Sequence, residues 1–182
     1  MLCCICRLDH QVRLLLPKSI LANNLITSLL LSALRLTLLS DDVIRKILTS
    51  YRTMAVIGVS RDPSKDSYRV AEYLKNHGFH IIPVNPFADE VLGLKCYKSL
   101  LELPSEIQRT IEVVDIFRPS ADVPPIVEQV IQLKKLHGKP YVVWMQLGIV
   151  NEQAADTAKK AGLTVVMDRC MMREHRRLFP EK

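Results

Sequence analysis

The chain predicts a doubly wound α/β fold: a parallel sheet of about five strands with helices on both faces. Three observations predict it. From Thr53 onward, short apolar runs alternate with helix-periodic segments. The runs are near-continuously apolar, as strands covered on both faces are. Glycines follow the helical segments, where a left-handed residue ends a helix at least cost.

In order, a first helix starts at Ser40 or Asp41, either of which can cap it, and runs to Leu48. The apolar runs are 54–59, 80–84, 111–117, 141–144 and 164–167, and the helices between them 68–76, 123–136 and 152–161. His77-Gly78, His137-Gly138 and Gly162 stop helices; Pro124-Pro125 and Asn151 start them. Residues 91–97 read as an irregular connection leading to a short helix around 99–102. A final helix opens near Cys170. Strand, crossover helix, strand, repeated without internal sequence repeats, is the Rossmann-like arrangement.

Length and composition narrow the function. A chain of 182 residues supports one domain, placed at 40–182, plus an appendage at 1–39. The formal charge of +6 is uneven, because the appendage carries Arg7, Arg13, Lys18 and Arg35 against Asp9 alone. The rest is mildly basic, with no Lys/Arg block and few aromatics, so nucleic-acid binding is disfavoured. Five cysteines without framework spacing argue for a reducing, cytoplasmic compartment. Cys3-Cys4-x-Cys6 lacks a second ligand pair at zinc spacing, and no metal is expected. Residues 19–34 are leucine-rich but interrupted by Asn23-Asn24, too short for a stable membrane span. The appendage reads first as a poorly ordered or non-native extension, then as a mitochondrial transit peptide, then as a docking helix.

Chemistry collects where the strands end. The first strand runs into Gly58-Val59-Ser60-Arg61 and then Asp62 to Tyr68 before a helix. A sharp glycine turn followed by a helix N-terminus is a phosphate-binding geometry. It is not G-x-G-x-x-G, since Ser60 and Pro63 stand at the second and third glycine positions. In doubly wound sheets, ligands bind outside the carboxyl ends of the strands. Arg61, Lys65, Arg118 and Arg169 are expected along that edge, with Ser60, Asn85 and Gln146 as uncharged hydrogen-bonding partners. Guanidinium forks suit phosphate oxygens. An NAD site wants an acid after the second strand, and here the tip is Asn85-Pro86-Phe87. A nucleotide with an extra ribose phosphate tolerates that tip, which leaves NADP and coenzyme A; the lack of a substrate domain weighs against NADP.

Five stretches carry a resemblance: Gly58 to Lys65, Ile82-Pro83-Val84-Asn85-Pro86, Val114-Asp115-Ile116-Phe117-Arg118-Pro119, Val143 to Gly148, and Val166 to Met171. Together they resemble the small stand-alone CoA-binding domain proteins, which are similar to the N-terminal domain of the succinyl-CoA synthetase alpha subunit. The resemblance covers about residues 41–179. It implies that coenzyme A or an acyl-CoA lies across the carboxyl edge. Gly58, Val59, Ser60, Arg61 and Lys65 would face the phosphates, Val84, Asn85 and Pro86 would flank the adenosine, and Phe117, Arg118 and Pro119 would close the other side. The ligase's phosphorylated histidine belongs to a further domain, so ligase chemistry is not expected to come with the fold.

Candidate catalytic groups are few. Cys170 at a helix N-terminus could exchange with a thiol, but His175 falls off its helical face. The pair reads first as a structural Cys and a surface His. Trp144, Met145 and Met167 read as core, and His77, His80 and His137 have no metal spacing. Asp115 is an isolated carboxylate; Asp168 is expected to cap the last helix or pair with Arg169. The expected function is a binding module without a reaction of its own, able to form a homo-oligomer or meet a protein partner. An NADP-dependent oxidoreductase and an interaction domain with a vestigial site are the alternatives.

Overall fold

The computed structural model describes residues 41–180. The expectations for the appendage, and for Ser40 as a cap, lie outside the described residues. Among the described residues, seven strands and six α-helices follow in order: α1 Asp41–Ser50, β1 Thr53–Ile57, α2 Asp66–Asn76, β2 His80–Val84, β3 Glu90–Val91, β4 Leu94–Lys95, α3 Ser105–Gln108, β5 Val113–Ile116, α4 Val123–His137, β6 Val142–Met145, α5 Glu152–Lys160, β7 Thr164–Val166 and α6 Met171–Leu178. Five strands form one parallel sheet in the order β2-β1-β5-β6-β7. The chain leaves β1 in one direction to β2 and returns on its other side at β5. The switch point therefore lies between β1 and β5, where a doubly wound sheet opens a crevice.

Because side chains alternate along a strand, the sheet has two buried faces. Ala55, Ile57, Val114, Ile116, Val143 and Met145 pack against Val123, Val127, Val130 and Leu133 of α4 and against Ala154, Ala155 and Ala158 of α5. The three alanines let α5 approach closely. The alternate residues Met54, Val56, Asp115 and Trp144 face the other way and are fully buried. There α2 contributes Val70, Ala71 and Leu74, α1 contributes Ile44, Ile47 and Leu48, and α6 contributes Met171 and Leu178. Near-continuous burial of β5 and β6 matches the apolar runs read from the sequence.

Two expectations are corrected. Residues 90–97 hold a hairpin, β3 paired antiparallel with β4, where an irregular connection was expected. Its turn is Leu92-Gly93, both with positive φ (57° and 69°), the two-residue geometry that matches the twist of the flanking strands. A leucine in that position hid the signal. The short helix is α3, not 99–102. Residues 99–102 are a turn in which the Glu102 N–H donates to Ser99 Oγ (3.3 Å), and Pro104, with its preset φ, stands at the start of α3. Past β2, Tyr97 extends the sheet edge: its N–H donates to Pro83 O (3.0 Å), and the Asn85 N–H donates to Tyr97 O (2.8 Å). That ties the hairpin to the tip of β2.

Candidate functional site

Gly58 is the pivot of the switch point. Its φ is +82°, which favours glycine, and its N–H donates to Val84 O at 2.8 Å. A Cβ there would lie 2.8 Å from Arg118 Cδ and 3.1 Å from Phe117 O. The turn after β1 is thus pressed against the turn after β5, and only a residue without a side chain fits.

Beyond Gly58 the loop holds itself by local bonds. The Ser60 N–H donates to Ser67 Oγ (3.0 Å), the Asp62 N–H to Ser60 Oγ (3.0 Å) and the Ser64 N–H to Asp62 Oδ1 (2.9 Å). Those bonds from Ser64 hold the Asp62 carboxyl below the usual carboxylate range. The loop delivers the chain to α2, whose N-cap residue is Lys65 and which no side chain caps. The first amides of a helix lack intrahelical acceptors and carry its positive dipole end.

Asn85 braces the second loop: its Nδ2 donates to Val59 O (2.8 Å) and its Oδ1 accepts from the Phe87 N–H (2.9 Å). A cleft of about 750 Å³ opens between these loops, walled by Gly58, Ser60, Arg61, Lys65, Asn85, Phe87 and Phe117. Arg61 and Lys65 form no ion pair with another described residue. A smaller cavity of about 290 Å³ lies on the other side of Gly58, with Val84, Pro86 and Arg118 in its wall. A third, of about 230 Å³, adjoins the cleft at Phe117 and reaches Gln146 and Cys170.

The expected residues therefore gather around Gly58 but divide in what they do. Gly58, Ser60, Arg61, Lys65, Asn85 and Phe117 wall the large cleft, and Val84, Pro86 and Arg118 the smaller cavity. Val59 is buried and offers only its carbonyl, and Pro119 opens a 3₁₀ turn at 120–122; neither walls these two cavities. The four expected cations do not act as one row. Arg118 is engaged by Asp122 at 2.8 Å and Arg169 by Glu174 at 3.6 Å, which leaves Arg61 and Lys65 to the cleft.

Gln146 is 3% exposed and fully engaged: Nε2 donates to Asp115 Oδ1 (2.8 Å), and Oε1 accepts from the Met171 N–H (3.2 Å). Asp115 is wholly buried, and its Oδ2 has no hydrogen-bond partner among the described residues. Loss of solvation pushes its carboxyl up to about 7, against the opposing bond from Gln146.

Other expectations change. Asp168 neither caps α6 nor pairs with Arg169; from a positive φ of 54° its Oδ1 accepts from the Gly148 N–H at 2.7 Å. It clips the turn after β6 to the turn after β7. The N-cap position of α6 belongs to Cys170. His175 is half-buried, not a freely exposed side chain. Its Nδ1 and the Tyr73 hydroxyl are hydrogen-bonded at 3.0 Å, and its ring packs on His77, Phe79 and Phe179. Burial lowers its pKa. Among the described residues, no group of three or more His, Cys, Asp or Glu could hold a metal ion. No described helix is long and apolar enough to cross a membrane.

Sequence reading missed Phe87, 77% exposed on the lip of the cleft, and Ser67, whose hydroxyl fixes the Ser60 amide. Phe87 looked like part of a neutral tip. Ser67 had a readable signal, because its place in the first turn of α2 puts it opposite the glycine loop.

Comparisons with known proteins point to the same fold class. The family described as CoA binding domain matches residues 52–176. The uncharacterized protein YneT of Bacillus subtilis is 37% identical over 132 residues, which is 72% of this chain and 91% of YneT. An ADP-forming acetate–CoA ligase of Archaeoglobus fulgidus is 40% identical over 83 residues, 44% of this chain but only 12% of the ligase. Among solved structures, a hypothetical protein of Pyrococcus horikoshii superposes with a TM-score of 0.70 at 44% identity, covering 77% of this chain and 92% of that one.

Proposed function

The chain belongs to the CoA binding domain family, and from that premise we propose that it binds coenzyme A, free or as an acyl-CoA, across the carboxyl edge of its sheet. The observation that carries this reading is the large cleft at the switch point. It combines the Gly58 turn, the uncapped start of α2 and two cations without ion-pair partners among the described residues, Arg61 and Lys65. Together these supply what a diphosphate needs: close backbone approach, amide donors and positive charge.

In this reading the phosphates lie over Gly58, Val59 and Ser60 with Arg61 and Lys65 beside them. The adenosine lies along Val84, Asn85 and Pro86, and Phe117, Arg118 and Pro119 close the opposite wall. Val59 and Pro119 take part through backbone and turn shape, and Asn85 and Gln146 by bracing the loops. Arg118, held by Asp122, presents a placed guanidinium edge instead of a free one. In this reading the protein acts as a binding module; it matches 12% of the Archaeoglobus ligase, and the ligase's reaction is not part of the proposal. Cys96 and Cys170 are free thiols, and burial pushes the Cys96 thiol up. A reducing compartment suits them: the cytoplasm, or the mitochondrial matrix if residues 1–39 act as a transit peptide.

Isothermal titration with CoA, acetyl-CoA, NADPH, NADH and ATP tests the reading. Binding by the two CoA species, weakened by Arg61→Glu, is the expected result. A clear response to NADPH with none to CoA overturns it.

A further inference from the structure

Building on that reading, we propose that the 230 Å³ cavity between α2, α6 and the Phe117 turn seats the thiol end of the ligand together with a short acyl chain. The cavity and the large cleft share Asp66 and Phe117. A pantetheine arm leaving the phosphates over Gly58 therefore passes Phe117 directly into it. Val70, Phe117, Ile149 and Met172 supply apolar wall. Leu147 lies at the same cavity and is 54% exposed, one of few large apolar side chains so open in the described chain. An acyl chain laid beside it would remove that surface from water.

The floor is closed. Val70 is buried against the sheet. Gln146 is held at both ends by Asp115 and by the Met171 N–H, so it cannot swing away without leaving two buried groups unpaired. A closed floor sets a length limit. At about 30 Å³ for each water-sized group, the cavity takes roughly eight non-hydrogen atoms. The terminal aminoethanethiol segment brings four, which leaves about four for the acyl group, enough for acetyl (three with its carbonyl oxygen) or propionyl (four). Longer chains would have to turn back into solvent.

Titrating the full chain with CoA and with acetyl-, propionyl-, butyryl-, octanoyl- and palmitoyl-CoA tests this. Each methylene buried in the cavity should tighten binding by up to about fourfold, so affinity rises from acetyl to propionyl and falls about tenfold or more by octanoyl. Met172→Trp, a change at a half-buried wall position, should move the optimum from propionyl down to acetyl. CoA binding that does not vary with chain length, or is tightest for palmitoyl, overturns the acyl cavity and leaves the CoA site standing. No binding by any member of the series overturns both.

Discussion

The two ends of the sheet use charge in opposite ways. At the amino end, cations and rings are engaged with one another. Arg52 lies over Phe79 at 4.8 Å and Arg176 over Tyr73 at 4.6 Å, while Arg45 covers Phe179 and donates to Leu178 O. Between the two ends, Arg177 joins Asp41 at the start of α1 to Glu174 on α6, a residue that also meets Arg169. These contacts fasten the outer helices to the sheet. At the carboxyl edge, the loop after β1 satisfies its own backbone through Ser60, Asp62 and Ser67 and leaves Arg61 and Lys65 to face the cleft. Polar groups that already have partners hold a fold together; those without them are available to a ligand. Substitutions at the amino end should therefore change stability and spare binding, those of Arg61 and Lys65 at the carboxyl edge the reverse, and Gly58, which shapes that edge, both.

Gly58→Val should have the largest effect, because it strains both the turn and its contact with Arg118. A loss of about 3 kcal/mol is expected in denaturant unfolding, with no CoA binding left in calorimetry. Wild-type stability in this variant would show that the two turns are not pressed together. His175→Ala should cost about 2 kcal/mol through the lost ring packing and the Tyr73 bond, with CoA affinity unchanged. A large fall in affinity would break the contrast between the ends. The His175 pKa is lowered, so its contribution is present above about 6.5 and is lost as pH falls through the folded value. The variant's unfolding free energy should accordingly vary less with pH on the acid side.

Arg61→Glu is the mirror case. Affinity for CoA should fall about tenfold, or about 1.4 kcal/mol, and the fall should shrink at high salt. Thermal stability should stay within a degree. A stability change without an affinity change would remove Arg61 from the site.

Asp115 gives the smallest and most diagnostic effect. Its folded pKa of about 7 lies above the unfolded value, so its contribution is full below about 3.9 and is lost as pH rises to 7. Asp115→Asn should flatten that slope and raise stability at pH 8 by about 1 kcal/mol, seen as a Tm rise of a few degrees. Carbon NMR of the wild-type carboxyl should show the same titration. A midpoint near 4 would mean that the buried carboxylate has a partner.

Legibility follows the range of the cause. The alternation of strands and helices, the glycine turn and the stops after Asn76, His137 and Lys160 were readable because each rests on a few neighbouring residues. The hairpin at 90–95 was missed because Leu92 holds a turn position usually given to Asn, Asp or Gly. Asp115 read as an isolated carboxylate because its partner lies 31 residues away; only the β5–β6 pairing brings Gln146 to it.

The sequence by itself determined the order of the sheet strands and long helices, the doubly wound class and the place of a phosphate-suited turn, because periodicity and backbone preference act locally. Only the tertiary structure decided which cations stay unpaired among the described residues, which carboxyl is desolvated and which helix His175 meets. Arg177 and Asp41 are 136 residues apart, and Tyr73 and His175 are 102 apart. Charge and burial depend on distance in space, which the chain fixes by packing its helices on both faces of the sheet.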